Sequence, residues 1–72
     1  MTPFAKTLHK DSHVRRYEIR PDVNGWRVVE QEDSRVIRDA IYHDWHRVER
    51  VRRAFVVEMN SLQNEGWIEP RP

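Results

Sequence analysis

The chain contains no cysteine, which excludes disulfide frames and thiolate sites for metal or redox chemistry. Glycine is nearly as scarce: Gly25 and Gly66 are the only two, too few for a glycine-rich phosphate loop. No apolar stretch approaches the roughly 20 residues that a membrane helix needs. Met1 to Lys10 lacks the apolar centre of a secretory signal, so a cytoplasmic protein is expected. Lysine is rare as well. Of the 13 basic residues only Lys6 and Lys10 are lysine, which favours planar, bidentate contacts over simple solubility. Twelve acidic residues balance the basic ones to a formal charge of +1, a small excess for a nucleic-acid binder.

What is present fits one small domain of 72 residues, 38% hydrophobic and 35% charged. Positions 1–12, "MTPFAKTLHKDS", show no sustained period and read as a flexible arm anchored only by Phe4 and Leu8. "HVRRYEIRP" alternates, with Tyr17 and Ile19 on one side and Arg16, Glu18 and Arg20 on the other, which predicts a strand over about 14–20. Asn24-Gly25 signals a hairpin turn. A second strand over about 26–32 then places Trp26, Val28 and Glu30 opposite Arg27, Val29 and Gln31. Asp33-Ser34 makes another turn before a β-branched strand over about 35–41. Its inward set is either Ile37 and Ile41 or Val36, Ala40 and Tyr42. The first is preferred because the second would turn Arg38 inward.

The remainder is helical over about 44–65. Val48, Val51, Phe55, Met59 and Leu62 fall on one stripe with Trp45 at its edge. Asp44 is a suitable N-cap, and Gly66 suits the left-handed stop with Trp67 folding onto Leu62. The expected fold is therefore α+β: a three-stranded antiparallel sheet packed on one long C-terminal helix. Positions 13–68 form the single βββα domain, and 69–72 are a tail. About 22 helical residues would run about 33 Å, against about 20–23 Å for the strands. The helix end would overhang, leaving Met59 and Leu62 to be covered by Phe4 and Leu8, by Trp67 folding back, or by a second copy, while Val56 and Val57, off the stripe, favour a partner.

The segment from Tyr17 to Trp67, with its "GWRVVEQED" strand and "YHDWHRVERVRRAF" helix start, resembles short bacterial proteins with a Gly-Trp-x-Val strand and one C-terminal helix. Those families have no established activity, so the resemblance implies a fold and not a function. The order of elements is also similar to the DNA-binding domain of plant ethylene-response factors and the arm-binding domain of tyrosine recombinases. That likeness is topological, without their sequence signatures. It implies contacts to nucleic acid from Arg16, Arg20, Arg27 and Arg38.

Two functions follow as expectations for a non-enzymatic binding module. One is nucleic-acid binding by Arg16, Arg20, Arg27 and Arg38 on the sheet's outer face, with arginine reading guanine edges and holding phosphates. The other is protein interaction or homodimerisation through Val56, Val57, Met59 and Leu62. Ser12, Ser34 and Ser61 show no nucleophile spacing, so no catalytic residue is assigned. His9 and His13, and His43 and His46, have spacings that can bind zinc but form no complete ligand set. Neither a metal nor a cofactor is expected.

Overall fold

The computed structural model describes residues 3–70. Positions 1 and 2 of the expected arm, and 71 and 72 of the expected tail, lie outside the described residues. The chain is an α+β protein of four antiparallel strands and one C-terminal helix. The strands β1 (Phe4–Lys10), β2 (His13–Asp22), β3 (Gly25–Glu32) and β4 (Arg35–Tyr42) pair in sequence order, and α1 (Trp45–Asn64) crosses one face.

The first correction concerns the arm. From Phe4 onward it is an edge strand, which makes the sheet four-stranded. Its register on β2 sets Phe4 against Ile19, Lys6 against Tyr17 and Leu8 against Arg15. Phe4, Lys6, Leu8 and Lys10 therefore share the helix side, where Leu8 is fully buried. The two lysines hid the alternation from a reader of the sequence. Their stems lie along the sheet while their ammonium groups reach outward, Lys6 to Glu69 at 3.0 Å and Lys10 to the Glu65 carbonyl at 2.7 Å.

Three two-residue connections link the strands, and each has its own chemistry. Asp11 and Asp33 both take φ of +54°, a conformation that aspartate tolerates. At the middle turn the loop is Val23-Asn24, and Gly25 already belongs to β3. Gly25 is required there by crowding, since a Cβ would collide with the Tyr42 carbonyl.

Asp33 also ties two hairpins together. Its carboxylate accepts from the Val14 amide at 2.9 Å and lies 3.1 Å from His13 Nδ1. The Val14 bond, and then the His13 ring, hold this carboxyl below its ordinary range. Asp39 is lowered likewise, first by its hydrogen bonds from Arg27. Both groups bind protons more weakly when folded than when unfolded. The stability they add is thus present above the ordinary carboxyl pKa of 3.8 and is lost as pH falls through the lower folded values. Melts taken from about pH 5 down to about pH 2 should show a falling Tm, with a shallower fall for Asp33→Asn.

The second correction is the register of β4. Ile41 pairs with Arg27 on the outer face, while Tyr42, Ala40 and Arg38 lie with Trp26, Val28 and Glu30 on the helix side. The pairing skips Ile37 opposite the Glu30–Gln31 step, and this bulge turns Val36 to the outer face. Ile37 and Ile41 are about half exposed, so the inward pair expected from the sequence does not face the core. The path of the helix explains why Arg38 is tolerated on that side. α1 starts at the far end of β3 and β4, with Trp45 5.2 Å from Trp26 and Arg47 over Tyr42. It ends near β1, where Lys10 bonds Glu65. Crossing on this diagonal, it leaves the Arg35–Arg38 corner uncovered.

The core follows from that diagonal. Leu8, Tyr17, Ile19, Val28, Val48, Phe55 and Met59 are buried together, and Phe4, Trp26, Tyr42, Val51, Leu62 and Trp67 pack around them. The overhang anticipated from element lengths is thus filled by β1 and Trp67. Both helix ends behave as their residues require. The Asp44 carboxylate accepts from the His46 amide at 2.9 Å. Gly66 sits at φ +102°, and the Trp67 amide donates back to the Leu62 carbonyl at 3.0 Å. Beyond it, His9 and Ile68 exchange two backbone hydrogen bonds of 2.8 Å, which closes part of the free edge of β1.

Candidate functional site

The outer face of the sheet carries Arg16 and Arg20 from β2 and Arg27 from β3; Arg38 is on the opposite face. The three are brought together, but not as free cations. Arg27 makes two hydrogen bonds to Asp39, at 3.0 and 2.8 Å. Glu18 lies between the other two, 4.0 Å from Arg16 and 3.4 Å from Arg20. The face is a mosaic of compensated charge, with Ile41 and Val36 exposed beside it.

A denser polar cluster lies beneath the sheet. Alternation turns Arg15 to the same side as Tyr17 and Ile19, where it meets carboxylates from two elements. Its guanidinium bonds Glu30 at 2.9 Å, Glu32 at 3.3 Å and Glu58 of the helix at 2.5 Å. The Tyr17 hydroxyl donates to Glu58 at 2.9 Å. Burial, then this hydrogen bond, push the phenol above its usual pKa. Glu30 is itself buried, and Arg15 Nε is buried without a hydrogen-bond partner among the described residues. The cluster clamps β2, β3 and α1 together, and its carboxylates are held by Arg15. Sequence reasoning passed over Arg15, although the period that buried Tyr17 applied equally two residues earlier.

The remaining feature is the edge formed by β4. Along its eight residues no strand pairs with its outer side among the described residues. Val36 and Ile41 on the outer face are exposed at 54% and 50% on either side of Asp39, and Ile37 at the bulge is exposed at 45%. The helix side of the same edge is basic. Arg35 and Arg38 project there, opposite Glu32 and Glu30 on β3. On α1, Arg47 stacks on Tyr42 of β4 at 4.9 Å, at the other end of the strand from Arg35, and Arg50 is exposed. These four arginines make no ion pair among the described residues, whereas Arg15, Arg16, Arg20, Arg27, Arg52 and Arg53 all do.

The other residues singled out in the sequence are more dispersed. Met59 is in the core and Leu62 packs against it, so neither is offered to a partner; Val56 and Val57 remain exposed. His13 serves the Asp33 turn, and His43 Nδ1 lies 2.5 Å from the Asn24 carbonyl and donates to it. Among the described residues no group of three histidine, aspartate or glutamate side chains is placed to hold a metal. Among the same residues no helix is long and apolar enough to cross a membrane. Compared with family models, curated proteins and solved structures, the chain matches none.

Proposed function

We propose that this chain is a non-enzymatic protein-binding module that accepts an extended segment of its partner along β4. One observation carries this reading: the two edges of the sheet are treated differently. The β1 edge is bridged by the chain's own Ile68, while β4 presents backbone donors and acceptors that no strand pairs among the described residues, beside Val36, Ile37 and Ile41. Strand addition uses those main-chain groups for affinity and the alternate side chains for specificity. The bulge at Ile37 and the charges of Arg35, Arg38 and Asp39 restrain indiscriminate pairing.

Selecting displayed peptides against the domain tests this. Selected peptides should slow amide exchange along β4 and lose binding to the Ile41→Lys variant, whose fold is unchanged. Binders that map to Val56 and Val57, or to the arginine face, would overturn it.

Nucleic-acid binding by the outer face stands as the second reading. It is supported by Arg16 and Arg20, about half exposed, sharing the single carboxylate of Glu18. Salt-dependent affinity for a labelled duplex, lost in Arg20→Ala and Arg27→Ala, would place it first.

A further inference from the structure

We infer that the segment received by β4 is an alternating acidic and apolar strand, with its carboxylates turned to the helix side. This inference rests on the strand-addition reading and adds the chemistry of the partner. A strand laid on β4 continues the sheet, so its side chains alternate between the same two sides. On the outer side they meet Val36 and Ile41, exposed and apolar, with the Asp39 that Arg27 already holds between them and Ile37 exposed at the bulge. On the helix side they meet Arg35 and Arg38 directly, then Ala40 and Tyr42, the latter covered by Arg47 of α1.

Charge decides which residues suit that second row. Along the helix side of this edge Arg35 and Arg38 stand near Arg15 at one end and Arg47 stands over Tyr42 at the other, against the three carboxylates of Glu30, Glu32 and Glu58. All three carboxylates are bonded to Arg15. The guanidinium groups of Arg35, Arg38 and Arg47 are unpaired among the described residues, and they are the fork-shaped donors that carboxylates match in pairs. The outer face offers no comparable surplus, because Asp39 and Glu18 already occupy its arginines. The same count disfavours a second copy of this chain. Antiparallel pairing of β4 with β4 would align Arg35 and Arg38 of both chains along one side of the joint.

The test uses three synthetic peptides as long as β4: alternating valine and glutamate, valine and glutamine, and valine and lysine. Binding is followed by anisotropy and by amide exchange. The valine–glutamate peptide should bind about tenfold or more tightly than the valine–glutamine one and protect β4 amides. The valine–lysine peptide should not bind. Arg38→Gln and Arg35→Gln are exposed changes that should leave the melt unaltered and remove the preference for glutamate. Equal binding of the first two peptides would overturn the acidic preference while leaving strand addition intact. Binding of none, together with retention of duplex DNA that Arg38→Gln abolishes, would overturn both and assign the corner to nucleic acid. Protection of β4 that rises with protein concentration and without peptide would make the occupant a second copy.

Discussion

Arg15→Ala is expected to cost about 3 kcal/mol, the lower part of the range for breaking a buried ion pair. The lower part applies because Glu32 and Glu58 keep some contact with water, their side chains being 38% and 39% exposed. Glu30 has no such outlet. With the guanidinium gone, its carboxylate would be buried against Tyr17 and the helix with no cation in contact. A domain of this size holds roughly 4–10 kcal/mol in total, so the loss is a large share. Chemical denaturation measures it, and a companion variant makes the measurement diagnostic. Arg15→Met combined with Glu30→Leu removes both charges and keeps the volume, so it should recover most of the stability. A shift below about 1 kcal/mol for Arg15→Ala would mean that water enters the cluster and that it contributes as little as a surface ion pair.

Leu8→Ala should be comparably damaging, at about 2–5 kcal/mol, through lost burial and the cavity left between β1 and the helix. The expectation is sharp because the two views of this segment differ so widely. In a mobile arm, the same change would fall within about 0.5 kcal/mol. Denaturation midpoints separate these outcomes, and amide exchange in β1 gives a second measure. Protected amides at Lys6 and Leu8, which alternate with the edge-facing His9, are expected in the parent chain, and their loss in the variant would place the damage at the β1–β2 joint.

How much of this was legible in the sequence depended on whether a local pattern had a single physical cause. Tyr17, Ile19, Trp26 and Val28 alternate without interruption, and all four turn toward the helix as expected. Asp44 and Gly66 end the helix by chemistry confined to a few neighbouring residues. β1 was obscured because Lys6 and Lys10 occupy inward positions, and a lysine at a strand margin can satisfy both sides of the pattern. For β4 the difficulty was not local at all. Whether Arg38 can face the helix side depends on where the helix lies, and the diagonal path that exposes it is set by Trp45, Arg47 and Lys10. The bulge at Ile37 then reversed the parity of the residues before it, so no single alternation described the strand.

The candidate surface was legible in the same uneven way. Arg16, Arg20 and Arg27 were correctly grouped on one face, but their partners Glu18 and Asp39 changed what that grouping means. The unpaired arginines come from two elements, Arg35 and Arg38 from β4 and Arg47 from α1 over Tyr42, and only the packing of the helix on the strand sets the last of them beside this edge.

The neighbour-to-neighbour strand order has a kinetic consequence. Every sheet joint closes a connection of only two residues, so little chain entropy is spent before the next pairing gains from it. Refolding should accordingly be fast for a protein so rich in sheet, nearer the millisecond end of the usual scale than the second. The bond of His9 to Ile68 spans most of the molecule and is the natural last step, a clasp shut on an assembly already formed.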